Sequence, residues 1–264
     1  MKVMMIFGMG YTGSAIATAL RTRGWLVDGT GAHGTMSFDD TYRVHRALAQ
    51  ATAVISTVPP AQGEDPVLSR YGAVLHSPWL GYISSTGVYG DAGGAWVDES
   101  APIGAGRRAA RVFAEAQWLG RGAHAFRLPG IYGPGRSAFD RLREGRAHRL
   151  DLPGQVFSRI HVADIVSAVL LALESEATPG PWNIADDEPC HQNRVIEEAA
   201  RLLGVEAPPA VALDDPSLSE ASRGFYRENR RVANGKARRE LGWRPSFPSY
   251  REGLRGILEE EGER

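Results

Sequence analysis

Cysteine is almost absent from this chain: Cys190 is the only one in 264 residues. One thiol makes no internal disulfide and no cysteine-based metal cluster, so the fold must stand on its own core, and a reducing compartment suits it. An excess of charge is equally missing. Thirty basic residues face thirty-one acidic ones, for a net charge of -1. That balance removes the global basic field of a nucleic-acid binder and the acidic excess of a solvating tail. No apolar run approaches the ~18 residues of a membrane span. The opening Met1 to Phe7 stretch stops at Gly8 with no cleavage-like sequel, so it reads as a buried strand rather than a signal peptide. The seven histidines show no His-x-x-x-His spacing. There is no HExxH, no Walker A lysine motif and no GxSxG elbow. These absences predict a cytoplasmic protein that takes no metal and has neither nucleic acid nor membrane as a partner.

What remains is ordinary globular material, 43% hydrophobic and 23% charged, and enough chain for one large domain or a core with a smaller lobe. Val3 to Phe7 is a short apolar run. Thr12 to Arg23 carries Ala15, Ile16, Ala19 and Leu20 on one helical face, and Trp25 to Val27 opens a second apolar run. Strand, helix and strand within about thirty residues is one βαβ unit. The alternation continues: helix at Thr41–Gln50, strand at Ala53–Val58, helix at Val67–His76, strand at Leu80–Ser84, helix at Ala105–Leu119, strand at Ala123–Leu128. It resumes with a helix at Val162–Leu173 and a strand at Trp182–Ala185. This order predicts an α/β protein with a doubly wound, mostly parallel Rossmann sheet and a smaller C-terminal substrate lobe. The division expected is a core over 1–132 completed by 155–185, with 133–154 and 186–264 forming the lobe. The stretch from Pro208 to Arg231 is polar and poorly periodic, like a loop-rich lid.

Gly8-Met9-Gly10-Tyr11-Thr12-Gly13 is a GxGxxG. The pattern gains meaning from its place between a strand and a helix. Gly8 permits the tight turn, Gly10 lets a pyrophosphate approach the backbone, and Gly13 lets helix and strand close up. The helix N-terminus adds free N–H groups and a favourable dipole for an anion. The expected cofactor is NAD(P), held by Gly8, Gly10, Tyr11, Thr12, Gly13 and Thr30. An acid at the tip of the second strand would favour NAD. Asp28 falls too early for that and the tip reads Thr30-Gly31-Ala32-His33, so the reading leans slightly to NADP, although no arginine is present there to grip a 2′-phosphate.

Five later segments, with the glycine turn, resemble the extended short-chain dehydrogenase/reductases, the NAD-dependent epimerase/dehydratases. They are Ser84-Ser85-Thr86-Gly87-Val88-Tyr89-Gly90, Arg127 through Gly135 with its Tyr132-Gly133-Pro134-Gly135, Ile160-His161-Val162-Ala163-Asp164, Trp182-Asn183-Ile184-Ala185, and Leu241-Gly242-Trp243-Arg244-Pro245. The resemblance implies that Ser85 hydrogen-bonds the reacting oxygen. It implies a Tyr-x-x-x-Lys pair on the helix over 105–119, which is not in the chain. Aligning through Glu115 puts Arg107 at the tyrosine place and Arg111 at the lysine place. The i,i+4 spacing keeps both on one helix face. Arg111 can donate to ribose hydroxyls, whereas Arg107 cannot serve as a proton-transfer base because a guanidinium stays charged. A solvated basic face explains the same arginines equally well.

Tyr89 and Tyr132 are candidate substitute acids, neither singled out; His161 falls in a motif that places it structurally, and Asp98 and Glu99 follow a glycine-rich loop and brace it. Arg136, Arg141, Arg143, Arg146 and Arg149 form a basic cluster, with 136, 143 and 146 sharing one side if helical. Cys190 reads as a buried, inert thiol at a helix start. The resemblance also offers pairing of the 105–119 helix with its twin in a homodimer. Two readings of function stand side by side. One is an NAD(P)-dependent oxidoreductase or epimerase/dehydratase-like enzyme acting on a small-molecule substrate. The other is a non-catalytic NADP(H)-binding sensor, favoured by the missing tyrosine.

Overall fold

The computed structural model describes residues 2–104, 109–216, 218 and 220–262. Six strands form one sheet: β1 (Val3–Phe7), β2 (Leu26–Thr30), β3 (Ala53–Ser56), β4 (Trp79–Ser85), β5 (His124–Leu128) and β6 (Pro181–Asn183). Their spatial order is β6-β5-β4-β3-β1-β2, and every pairing is parallel. All five β1 side chains are buried, as a parallel strand covered on both faces requires. Successive residues serve opposite faces. Met4 and Ile6 pack with Ile16, Leu20, Ile165 and Val169. Met5 and Phe7 pack with Val44, Leu48, Tyr71 and Trp118. The helices Tyr11–Thr22 and Val162–Glu174 therefore cover one face, and Thr41–Gln50 and Ala109–Leu119 cover the other.

The chain leaves β1 for β2 on one side and returns to β3 on the other. Connections after β1 and β3 thus diverge and open a crevice at the carboxyl ends of the strands. A third apolar cluster joins Phe139, Ile196, Ala199, Tyr250, Leu254 and Ile257 from the later helices. The segment that reads as IHV-x-D meets the one that reads as LGW-x-P. The Asp164 carboxylate accepts from Ser246 N (2.6 Å) and Phe247 N (3.1 Å). The Trp243 indole donates to Asp164 O (3.2 Å). Among the described residues no helix is long and apolar enough to cross a membrane.

Three expectations need correction. The stretch after Val67 is a shorter helix, Pro66–Tyr71, that tightens into a 3₁₀ turn at Gly72–Val74. The arginines between 136 and 149 share no helical face, because the helix there covers only Ala138–Arg143, opened by a Ser137/Asp140 capping box. Arg136 lies before that cap; Arg143, Arg146 and Arg149 pair with Glu261, Glu144 and Glu197. The polar stretch before Arg231 carries a two-residue strand, Ala210–Val211, and the helix Glu220–Phe225.

His161 caps the Val162–Glu174 helix, its Nδ1 accepting from Ala163 N at 3.3 Å. Its ring lies against Tyr132 and Phe247. Burial pulls its pKa down to about 4, and burial, helped by Lys236, does the same to His124. An unfolded chain therefore binds protons at these sites between about pH 6.5 and 4 where the folded chain does not, and stability falls as pH is lowered through that window. Each site is worth up to roughly 3 kcal/mol. Buried Asp186 and Asp164, whose pKa values are raised by burial, act in the opposite sense, so the informative quantity is a difference. Urea unfolding of His161→Gln should show a flatter stability curve than wild type between pH 6.5 and 4; parallel curves would refute this account.

Candidate functional site: a glycine-turn cavity at the strand ends

The turn after β1 is folded tightly. Gly8 N and Met9 N both donate to Thr30 O, at 3.1 and 2.6 Å, and Thr57 Oγ1 donates to Gly8 O at 2.5 Å. Gly8 has φ +91°, and a Cβ there would stand 2.6 Å from Thr57 Oγ1. A Cβ on Gly13 would stand 2.4 Å from Gly8 O, whereas one on Gly10 meets nothing within 4 Å. Two of the glycines are thus required by the protein's own atoms, and the third faces open space. The Tyr11–Thr22 helix begins there with no side-chain cap and no acid in its first turn. Its N-terminal N–H groups are suited to an anion.

A cavity of about 830 Å³ runs along the carboxyl ends of the strands from this turn. Thr30, Gly31, Phe38 and Val58 line one end; Ser85, Ile131, Phe157 and Glu228 line the other. Gly8, Gly10, Tyr11, Thr12, Thr30, Ser85 and Arg111 all face this one cavity. Gly13 stands behind the turn. Arg107 lies outside the described residues.

Ser85 Oγ accepts from Gly87 N at 3.1 Å, which leaves it suited to act as a donor toward the cavity. Arg111 is fixed on β4, its Nη1 donating to Tyr82 Oη (3.0 Å) and Ile83 O (3.1 Å). Tyr11 Oη donates to Pro134 O at 3.1 Å, and burial pushes its pKa up to about 12. The Arg136 guanidinium sits 5.5 Å from the centre of the Tyr11 ring and also lines the cavity.

The two tyrosines proposed as substitute acids are placed elsewhere. Tyr89 belongs to a buried polar chain under the cavity floor. Ser84 Oγ donates to Glu115 Oε2 (2.5 Å), and Glu115 is paired with Arg127 (2.6 Å) at under 5% exposure for both. Arg127 Nη1 donates to Tyr89 Oη (2.8 Å), which donates to Asn183 Oδ1 (2.7 Å). Asn183 N ends the chain on Glu99 Oε1 (2.7 Å). Burial, eased by Arg127 and Asn183, holds the Tyr89 phenol at about 12. Tyr132 lies in the later core beside His161, its phenol raised by burial. Neither lines the cavity.

Cys190 is buried, with Arg159 Nη1 3.0 Å from its sulfur, and burial raises the thiol. The neighbouring helix starts beyond it, capped by His191. Among the described residues no cluster of acids, histidine and cysteine could hold a metal ion. Among the cavity residues that sequence reasoning missed are Glu228 and Arg230. Both fall in an aperiodic polar stretch where no spacing marks them.

No protein-family model matches the chain. Protein YeeZ of Escherichia coli (strain K12) is 28% identical over 285 residues, covering 94% of this chain and 97% of that one. The 3-diazoavenalumate denitrifying reductase of a Streptomyces species is 39% identical over 136 residues, 47% of this chain and 43% of that protein. Among solved structures, UDP-glucose 4-epimerase of Thermotoga maritima, with UDP-glucose, superposes with TM-score 0.75 at 19% identity, covering 99% of each chain. The human epimerase family protein SDR39U1, with NADPH, superposes with TM-score 0.76 at 16% identity, covering 97% and 99%. Sheet order, glycine turn and these superpositions define the fold as that of the extended short-chain dehydrogenase/reductases of the NAD-dependent epimerase/dehydratase type. More narrowly, the chain belongs to the family of a functionally unknown conserved protein from Silicibacter pomeroyi DSS. The two are 38% identical over 98% of this chain and 99% of that one, with TM-score 0.86.

The glycine geometry separates two substitutions. Gly13→Ala forces its methyl into the Gly8 carbonyl and should cost about 1–3 kcal/mol, the range of an overpacked core. Gly10→Ala meets nothing and should stay within about 1 kcal/mol of wild type. Denaturant midpoints check both, and equal losses would count against this division of roles.

Proposed function

We propose that the chain binds a nicotinamide dinucleotide along the carboxyl ends of the sheet and acts on a small substrate as an epimerase/dehydratase-like oxidoreductase. The observation that carries this reading is the single cavity joining the glycine turn to Ser85 and Arg111. The residues present fit the group: an uncapped helix start beside an open Gly10 for the diphosphate, apolar Phe38 and Val58 walls for the adenine, and a guanidinium for the ribose. The bound nicotinamide would supply hydride transfer. In this reading Arg111 holds ribose hydroxyls from its anchorage on β4, and Ser85 donates a hydrogen bond to the oxygen that gains charge. Residues 133–154 and 186–264 would close the substrate side over the core formed by 1–132 and 155–185.

The preference for NADP remains part of the proposal. Thr30, Gly31 and Ala32 line the tip of β2 with no carboxylate, and Arg43, whose Nη2 donates to Thr35 O at 3.0 Å, lies next to that tip. The relatives supply support of a coarser kind, since one is called a reductase and structures of the same fold hold NADPH or a sugar nucleotide. A homodimer through the Ala109–Leu119 helix is proposed on the same resemblance; Phe113 on that helix is 56% exposed. One observation favours the sensor reading instead: no Tyr-x-x-x-Lys occurs in the chain.

Calorimetry with NAD+, NADH, NADP+ and NADPH tests the binding. Heat is expected with the 2′-phosphorylated pair above the other, and Gly10→Ala should weaken it at least about tenfold, or ~1.4 kcal/mol. No heat and no thermal shift with any of the four forms would end the proposal. Incubation of NADPH deuterated at C4 with a carbonyl panel then separates the two readings, because a sensor transfers no deuterium.

A further inference from the structure

The substrate end of the cavity holds a carboxylate that no motif announces. Glu228 faces the same space as Ser85, Thr86 and Phe157 and is 8% exposed. Arg230, also on the cavity, donates from Nη1 to Glu228 Oε2 at 2.9 Å and to Gly90 O at 2.5 Å, so the pair sits against the turn that follows Ser85. The backbone around it is pinned on both sides. Gln155 Nε2 donates to Glu228 O at 2.9 Å. Asn229 N donates to Asp91 Oδ1 at 2.7 Å, and Asn229 Oδ1 accepts from Val156 N at 3.0 Å. Val232 N donates to Ser158 Oγ at 2.9 Å, and Ser158 O accepts from Gly130 N, just beyond β5, at 3.3 Å. Ser85 and Leu128 are register partners at the ends of β4 and β5. The Glu228 segment therefore spans the two strand ends where the proposed function puts the reacting carbon.

Among the described residues lining the cavity, Glu228 is the only carboxylate and Tyr11 the only phenol. Tyr11 Oη donates a hydrogen bond to Pro134 O, and burial pushes its pKa up to about 12. The other charged side chains there, Arg111, Arg136 and Arg230, are guanidiniums, which donate hydrogen bonds and do not serve as proton-transfer groups. Proton transfer needs a group that can accept and return a proton within reach of the substrate, and a carboxylate is a side chain of that kind.

We propose that Glu228 is the proton-transfer group of this site, taking the part left by the missing tyrosine, with Arg230 as its positioning residue. The proposal rests on the nicotinamide reading above. In the reducing direction the substrate carbonyl carbon receives a hydride from a reduced nicotinamide, and its oxygen takes the proton of the Glu228 carboxyl. The C=O π bond breaks, one C–H and one O–H bond form, and the nicotinamide is oxidised. The carboxylate left behind is paired with Arg230 and is reprotonated from water. In the oxidising direction the same carboxylate accepts the alcohol proton.

The full chain, labelled with ¹³C at its glutamate carboxyl carbons, gives a readout that needs no turnover. The Glu228 signal is identified by its loss in Glu228→Gln. It should move on adding NADPH and stay in place on adding ADP, which has no nicotinamide. A signal that answers ADP as strongly, or ignores NADPH once binding is shown, overturns the proposal. With the best carbonyl of the panel, Glu228→Gln should lower kcat about 100-fold or more, the range of lost general acid–base catalysis, with the NADPH Kd changed by less than about twofold. Glu228→Asp should retain part of the rate. Arg230→Ala should lower kcat more than it raises KM. An unchanged kcat in Glu228→Gln refutes Glu228 alone. A wild-type chain that binds no nicotinamide form refutes the reading beneath it.

Discussion

The contact between the Gly13 Cα and the Gly8 carbonyl is the constraint from which the rest of the site follows. Without a side chain at 13 the first helix closes onto β1 with its axis aimed past the strand end. A methyl at that position would stand 2.4 Å from the carbonyl oxygen. The closure fixes where the helix N-terminus points, and hence where its unpaired N–H groups are offered. Thr30 O and Thr57 Oγ1 grip the same turn from the ends of the two strands that flank β1. The glycine turn is therefore bonded to both sides of the crevice it feeds. Gly31, with φ +113° and room for no Cβ beside Met9 N, extends the same close packing to the β2 side.

Below the cavity a second constraint acts through charge. Glu115 and Arg127 are both out of water, and a buried ion pair of this kind holds only if its remaining hydrogen-bonding capacity is met. Here Ser84 and Tyr89 meet it, and Tyr89 passes the chain on to Asn183. Burial would depress the Arg127 guanidinium, but its bonds and attraction to Glu115 outweigh that and leave its pKa above the ordinary value. The members come from β4 and the turn after it, from β5, β6 and the helix beside them, and from Glu99 at the end. The chain therefore locks the three strand ends in register just where Ser85 emerges. That is a different use for Tyr89 from proton transfer: its oxygen has a donor on one side and an acceptor on the other, and the cavity lies beyond both.

Much of this was legible in the sequence because it depends on periodicity and on backbone geometry. The apolar run ending at Gly8, the glycine spacing and the 3.6-residue pattern of the next helix together dictate β1, its turn and where the helix N–H groups are offered. The alternation of strands and helices dictates the doubly wound sheet. What escaped was set by partners distant in sequence. The 136–149 arginines looked like one face because spacing is all a sequence displays; Glu261, Glu144 and Glu197 neutralise three of them separately. Glu115 served as an alignment mark with no hint that Arg127 would bury it. Glu228 and Arg230 had no signal at all, since they reach the cavity on an irregular segment held by hydrogen bonds to distant parts of the chain.

The distribution of chemistry along the chain has a physical logic. Cofactor recognition relies on backbone N–H groups and on glycines, so it must be built on the first, most regular βαβ unit, where rigid elements fix those groups. Proton transfer has no such need: one carboxyl held within reach is enough, and a pinned loop can hold it. A chain without Tyr-x-x-x-Lys can therefore keep a dinucleotide cradle while, under the proposal, the proton-transfer role moves to Glu228. The Glu228–Arg230 segment is bonded to the turn after β4 through Gly90, and to the end of β5 through Ser158. A loop tethered at both strand ends can meet the positional demand that the proposed role places on Glu228.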